Sequence, residues 1–250
     1  MTSTGAEQAK PGFFRELIGV VLPALLIAVG IQTFLFQPFR IPSGSMRDTL
    51  LVGDYLFVSK FSYGYSRHSF PFSLAPFSGR IFASPPQRGD VVVFRLPRDT
   101  SQDYIKRVIG LPGDTIQVRH SALYINGQAV KRERVDDFID KETSPPTRVE
   151  RWRETLPNGV SYDTLNISDD EPLDNTPIYR VPPGHYFMMG DNRDDSADSR
   201  VLSEVGYVPF ENLVGRAQII FFSIAHGAGA WEVWRWPQDL RLRRMFTWIR

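Results

Sequence analysis

The feature that most limits what this chain can become is Leu17–Phe36, twenty consecutive residues without a charge. As a helix, such a run covers about 30 Å, the thickness of the hydrocarbon core of a bilayer. A helix packed on a soluble core keeps a polar face, and this run offers little beyond Gln32 and Thr33. A cleavable leader is the competing reading, with a charged start, an apolar core and Ala28-Val29-Gly30 as a small-x-small site. The apolar run continues past Gly30 through Phe34, Leu35 and Phe36, which favours an uncleaved transmembrane anchor kinked at Pro23. Lys10 and Arg15 precede it and Arg40 and Arg47 follow it, so the positive-inside rule does not orient it. The chain thus divides into a short segment 1–16, the anchor 17–36, a domain 37–230 and a tail 231–250.

Composition excludes several chemistries. The formal net charge is +1, without the concentrated basic face that nucleic-acid binding requires. The chain has no Cys, which removes disulfides, thiol nucleophiles and Cys-ligated metals. His68, His120, His185 and His226 are isolated, with no pair at a metal-binding spacing, and neither a metal nor a cofactor is expected.

Beyond the anchor the texture is that of short β-type runs between Gly, Pro, Asn and Asp. Val52–Phe57, Val91–Leu96, Ile105–Ile109, Thr115–Arg119, Leu123–Ile125, His185–Met189 and Arg216–Phe222 read as strands. Asn126-Gly127 is a hairpin signal, because both central positions of a type I′ turn need positive φ. The expected fold is mainly β, with folded antiparallel sheets or a barrel-like domain behind one amino-terminal transmembrane helix. Residues 62–86, rich in aromatics and poor in charge, read either as a loop packed on the sheet or as a surface at the lipid interface. The charged, Pro-rich stretch 134–178 reads as a peripheral insertion of weak secondary structure. Trp and Arg residues in 231–250 suggest a terminal helix, lying on anionic lipid or packed through its Trp side chains.

Three stretches hold candidate chemistry. Pro42-Ser43-Gly44-Ser45 is by itself an ordinary turn, in which Pro and Gly set the backbone angles and Ser bonds locally. A serine nucleophile needs a base. Of five lysines only Lys106 lies inside an apolar strand, on the face of Tyr104 and Val108. Burial there would lower its pKa towards that of a usable base, whereas snorkelling to solvent would leave it an ordinary lysine. The third stretch, Asp191 to Arg200, holds four Asp within eight residues but does not meet the calcium-loop pattern and interleaves two Arg.

Taken together, these motifs resemble bacterial type I signal peptidase (leader peptidase, peptidase S26 type). The resemblance rests on Pro42-Ser43-Gly44-Ser45-Met46, on Gly89-Asp90-Val91-Val92-Val93-Phe94, on Tyr104-Ile105-Lys106-Arg107 with Gly110-Leu111-Pro112-Gly113-Asp114, and on Gly190-Asp191-Asn192-Arg193-Asp194 with Ser196-Ala197-Asp198-Ser199-Arg200. It spans residues 38–222. It implies a serine endopeptidase that removes signal peptides from exported preproteins after Ala-x-Ala sites. Ser45 would be the nucleophile, Lys106 the general base, and Ser43 with the Ser45 N–H the oxyanion hole. Ser196 would orient the Lys106 amine, and Arg107, Asp191, Asp198 and Arg200 would form salt bridges shaping the site. Ile41, Pro42, Met46, Leu50, Tyr104 and Ile105 would line the pockets for the −1 and −3 side chains.

The resemblance further implies a single pass through the bacterial inner (cell) membrane with the domain on the periplasmic or outer side. The partners would be preproteins and membrane lipid, with no nucleic acid and a monomer as the expected state. The chain departs from well-known members in having one clear anchor and in carrying Asp195 where many have Asn. Two alternatives remain at this level: a tethered β-domain that binds exported chains without cutting them, and a maturation peptidase for one specialised partner. Retention of Ser43, Ser45, Lys106 and Ser196 together argues against the first.

Overall fold

A computed structural model describes residues 13–70, 73, 76–140, 145–225 and 232–249. Helix α1 (Phe13–Phe34) contains Pro23, and its Leu17–Phe34 stretch has a mean hydropathy of 2.3 and is only 6% buried by the rest of the chain. It is long and apolar enough to cross a membrane. The helix ends two residues before the apolar run does, because Phe36 already opens strand β1 (Phe36–Arg40). That strand pairs antiparallel with β2 (Asp54–Ser59), so Leu35 alone separates helix from sheet.

The main sheet has eight strands, and all of its pairings are antiparallel. Its order runs β1, β2, β15 (Leu213–Ser223), β3 (Val91–Leu96), β4 (Asp99–Gly110), β13 (His185–Met189) and β14 (Val208–Pro209). β3 is buried on both faces, which explains its unbroken apolar sequence. Val91 and Val93 pack with Ile41, Met46, Leu50 and Ile105, while Val92 and Phe94 pack with Val108, Tyr186 and Met188. β4 starts at Asp99 rather than Ile105, because its polar first half pairs back onto β3 through a tight turn after Leu96.

A smaller sheet joins β12 (Tyr179–Arg180), β5 (Thr115–Arg119), β6 (Ala122–Ile125) and β7 (Gln128–Ala129). The turn between β6 and β7 holds Asn126 at φ 52° and Gly127 at φ 78°, the positive angles a type I′ turn needs.

Two expectations are corrected here. The insertion at 134–178 is not weakly structured. β8 (Lys131–Arg134), β9 (Phe138–Asp140), β10 (Thr147–Thr155) and β11 (Ser161–Asn166) form an antiparallel sheet, with β10 pairing to the other three. Its charged residues pair across the strands, as Arg153 does with Asp163 at 2.8 Å, while Tyr162 of β11 and Leu156 just after β10 are buried in the core.

The described part of the tail does not form the single terminal helix expected. Within its described part, only α2 (Trp236–Asp239) is α-helical, and β16 (Thr247–Trp248) pairs with the far half of β15. Ile249 is buried in the same cluster as Leu56 and Ile220. Arg244 reaches the fully buried carboxylate of Asp54 at 2.6 Å, so this cation serves the fold.

The aromatic stretch is fastened to both the sheet and the anchor. Arg80 donates to the carbonyls of Gly64 (2.7 Å) and Phe210 (3.0 Å). Tyr65 and Phe70 make edge contacts with Phe34 at the last turn of α1, while Phe82 is 84% exposed. Phe72 lies outside the described residues.

Candidate active site

Between β1 and β2 the chain makes a compact turn. The Arg47 N–H donates to the Gly44 carbonyl (3.0 Å) and the Leu50 N–H to that of Met46 (2.7 Å). Ile41, Met46 and Leu50 anchor the turn in the core beside Ile105 of β4. This packing holds Ser45 against β4, whose alternation delivers Lys106 inward with Nζ 5.5 Å from the Tyr104 ring centroid. Lys106 Nζ lies 2.5 Å from Ser45 Oγ, and Ser43 Oγ lies 3.5 Å from the same oxygen.

Lys106 is 4% exposed and Ser45 7%. Burial pulls the Lys106 ammonium down to about 8, against the opposing pull of Asp198, Asp191 and Asp195. Among the described residues no histidine bonds either member of the pair. His68 contacts Ser73, and His185 the Pro183 carbonyl.

Buried ion pairs surround the dyad. Arg107 grips Asp191 through two bonds, Nε to Oδ1 at 2.8 Å and Nη2 to Oδ2 at 2.7 Å. Its Nη1 donates to the Gly89 carbonyl at 2.7 Å. Arg200 grips Asp198 in the same forked way at 2.9 Å. Burial alone would raise the Asp198 carboxyl, but the Arg200 guanidinium and the N–H groups of Gly190 and Arg200 hold it below the usual range. All four expected salt-bridge residues are therefore placed together.

The loop from Gly190 to Arg193 lies against the serine turn. The Asn192 N–H donates to the Ser45 carbonyl and its side-chain amide to that of Gly44, each at 3.1 Å. Gly190 has no room for a side chain: a Cβ there would sit 2.2 Å from Ser196 Oγ and 2.5 Å from the Ser45 carbonyl oxygen. Ser196 is 7% exposed and its hydroxyl has no hydrogen-bond partner among the described residues, so the expected bond to the Lys106 amine is not made here.

Ile41, Pro42, Tyr104 and Ile105 line a cavity of about 240 Å³, together with Phe39, Arg40, Val93 and Asp103. Met46 and Leu50, expected in the same pockets, are fully buried in the core behind and are not part of its lining. The resemblance places them in those pockets; the tight turn directs both side chains into the core.

Sequence reasoning missed several residues. Thr49 donates to Asp191 Oδ2 at 2.5 Å. Asn192 belongs to the motif that carries the resemblance, which gives it no role of its own. Glu154 and Tyr162 of the insertion meet Arg193 in the core. The short Thr and Asn signals were readable only as turn chemistry, and Glu154 carries no local signal at all.

Comparison with known proteins agrees with this constellation. The family described as "Signal peptidase, peptidase S26" matches residues 14–222, a span that holds every residue of the site. The chain belongs to the signal peptidase family. Signal peptidase I of Rickettsia canadensis (strain McKiel) is 44% identical over 230 residues, 89% of this chain and 83% of the relative. Signal peptidase I of Rickettsia conorii (strain ATCC VR-613 / Malish 7) is 45% identical over 207 residues, 80% of this chain and 76% of the relative. A solved signal peptidase I from Enterococcus faecalis V583 is 31% identical, covering 53% of this chain and 97% of its own, with a TM-score of 0.33. As a signal peptidase the chain is a hydrolase, and its substrates are preproteins that carry signal peptides.

Proposed function

We propose that this signal peptidase is a membrane-anchored serine endopeptidase that cuts after small-x-small (Ala-x-Ala) sites with a Ser45–Lys106 dyad. The observation that carries the reading is the 2.5 Å contact between a nearly fully buried lysine amine and the Ser45 hydroxyl.

A neutral Lys106 amine takes the Ser45 proton as Oγ attacks the scissile carbonyl carbon. The carbonyl electron pair moves to oxygen, where the Ser45 N–H and the Ser43 hydroxyl stabilise it. Lys106 then protonates the leaving nitrogen. The C–N bond breaks, and the signal peptide is left esterified to Ser45 while the mature chain departs as an amine. A water that gives its proton to Lys106 attacks the ester, and the proton returns to Ser45. Ser196, whose hydroxyl is buried and has no partner among the described residues, is assigned to orient the Lys106 amine.

The cavity is small, which favours Ala over larger side chains at the recognition positions. β13 pairs with β4 only between Arg107 and Gly110, so the stretch of β4 before Lys106 presents an open edge there. A substrate bound as an added strand would use that edge. We assign α1 as a single-pass anchor in the bacterial cell membrane, with the amino terminus in the cytoplasm and the β fold on the periplasmic or outer side. The protein acts as a monomer, and the aromatics around Phe34 meet the lipid surface.

The test is cleavage of a preprotein with an Ala-x-Ala site by the detergent-solubilised full chain beside its Ser45→Ala variant. Cleavage at that bond by the first and none by the second is the expected result. Cleavage by both would remove Ser45 as nucleophile. Cleavage by neither, with folded protein, would favour a domain that binds exported chains without cutting them.

A further inference from the structure

The peripheral sheet reaches the dyad through one buried cluster. Glu154 of β10 is 1% exposed and accepts two bonds from Arg193, from Nη1 at 2.7 Å and Nη2 at 2.5 Å. Tyr162 of β11 donates its hydroxyl to Glu154 Oε2 at 2.9 Å, and Arg193 Nη2 donates to that same hydroxyl at 3.2 Å. The Arg107 guanidinium lies 4.1 Å from the centre of the Tyr162 ring. Backbone bonds continue the link: the Leu165 N–H donates to the Asp191 carbonyl (2.9 Å) and the Arg193 N–H to that of Leu165 (3.0 Å). The segment tied down on both sides is Asp191–Arg193, whose Asn192 holds the carbonyls of Ser45 and Gly44.

A buried ion pair of this kind is a poor device for stability, since desolvation offsets most of its attraction. It does fix geometry, because a forked Arg–carboxylate contact allows one relative orientation. We propose that Glu154, with Tyr162, is a positioning residue of the reaction: it locks Arg193, and through it the Asn192 loop that holds the Ser45 turn against Lys106. The peripheral sheet is then part of the catalytic apparatus, although none of its residues touches the reacting atoms. This rests on Ser45 and Lys106 being the catalytic pair.

The experiment is a double-mutant cycle on the full chain in detergent, with Glu154→Gln, Asn192→Ala and the double variant, each assayed well below its own unfolding temperature. Tyr162→Phe, which keeps the ring and loses only the hydroxyl, is the milder companion should Glu154→Gln fold poorly. Wild type and Ser45→Ala run beside them. Loss of Ser45-dependent cleavage in those controls would sink the dyad reading itself, independently of the cycle.

With that reading intact, Glu154→Gln is expected to lower kcat about tenfold with KM little changed. In the Asn192→Ala background the same change is expected to cost little, because the route it acts through is already cut. Tyr162→Phe should show the same pattern at smaller size. A kcat per folded molecule equal to wild type in Glu154→Gln, or in Tyr162→Phe where the former does not fold, would overturn the proposal. So would losses that multiply independently in the double variant, since Glu154 would then be a structural residue or act by another route.

Discussion

Lys106 Nζ meets Ser45 Oγ at 2.5 Å although 61 positions separate them in the chain. The meeting follows from strand order: β1 and β2 hold the serine turn, β4 holds the lysine, and the core shared by Ile41, Met46, Leu50 and Ile105 presses them together. Because burial lowers the lysine to about 8, the base becomes available in the neutral to mildly alkaline range. Cleavage should rise about tenfold per pH unit below 8 and level off above it, read from single-turnover rates. A rate already at its plateau at pH 5 would contradict a lysine base.

The same shift has a cost in stability. The unfolded chain holds the Lys106 proton up to about 10.5, whereas the folded chain releases it near 8. Below 8 both states are protonated and the folded state carries the full penalty, on the order of 3 kcal/mol. Between 8 and 10.5 only the unfolded state binds the proton, so stability rises with pH and the penalty fades. Lys106→Met should therefore abolish cleavage and yet unfold at a higher temperature than wild type at pH 7. The gap should close as pH approaches 10. A less stable variant at pH 7 would mean that the lysine is held by attraction rather than tolerated for its chemistry.

Asp195 offers a separate handle on that pH profile. It is an exposed carboxylate and favours the Lys106 ammonium, as do Asp198 and Asp191, while Arg200 opposes them. Asp195→Asn should move the rising limb of the rate profile to lower pH, by roughly a few tenths of a unit for an exposed charge. Added salt should shrink the difference between variant and wild type. A limb that moves to higher pH would show that Asp195 does not act on Lys106 through its charge.

Much of this was legible before the fold was seen. β3, β5 and β13 span the residues their β-branched and aromatic runs suggest, and the Asn126-Gly127 turn follows from its own backbone angles. The motifs around Ser45, Lys106 and Asp191 pick out residues that the fold brings together, though not the core burial of Met46 and Leu50. The insertion was misread because Thr147–Thr155 places Arg and Glu along most of its length, which resembles a solvated loop. Glu154 is buried only because Arg193, 39 positions away, comes to it, and no local pattern encodes that pairing. The tail was misread for the opposite reason. Its Arg and Trp residues suggest one continuous helix, but the chain breaks into a short helix and a strand, and the partner of Arg244 is Asp54, far off in sequence.

That last pair gives a test of what the tail does. The Asp54 carboxylate is fully buried and accepts from Arg244 Nη2 at 2.6 Å, from the Leu51 N–H at 2.8 Å and from Ser223 Oγ at 2.6 Å. Arg244 also donates to the Thr49 carbonyl at 2.9 Å, which ties the tail to the turn that carries the nucleophile. Replacing one partner of a buried pair costs about 3 to 5 kcal/mol, and the two remaining donors to Asp54 place Arg244→Met near the lower end. The expected result is a drop in unfolding temperature of roughly 10 °C for the detergent-solubilised chain. Binding of the variant to anionic vesicles should be unchanged, because this cation faces Asp54 rather than lipid. Weaker vesicle binding with an unaltered unfolding temperature would return the tail to a membrane role.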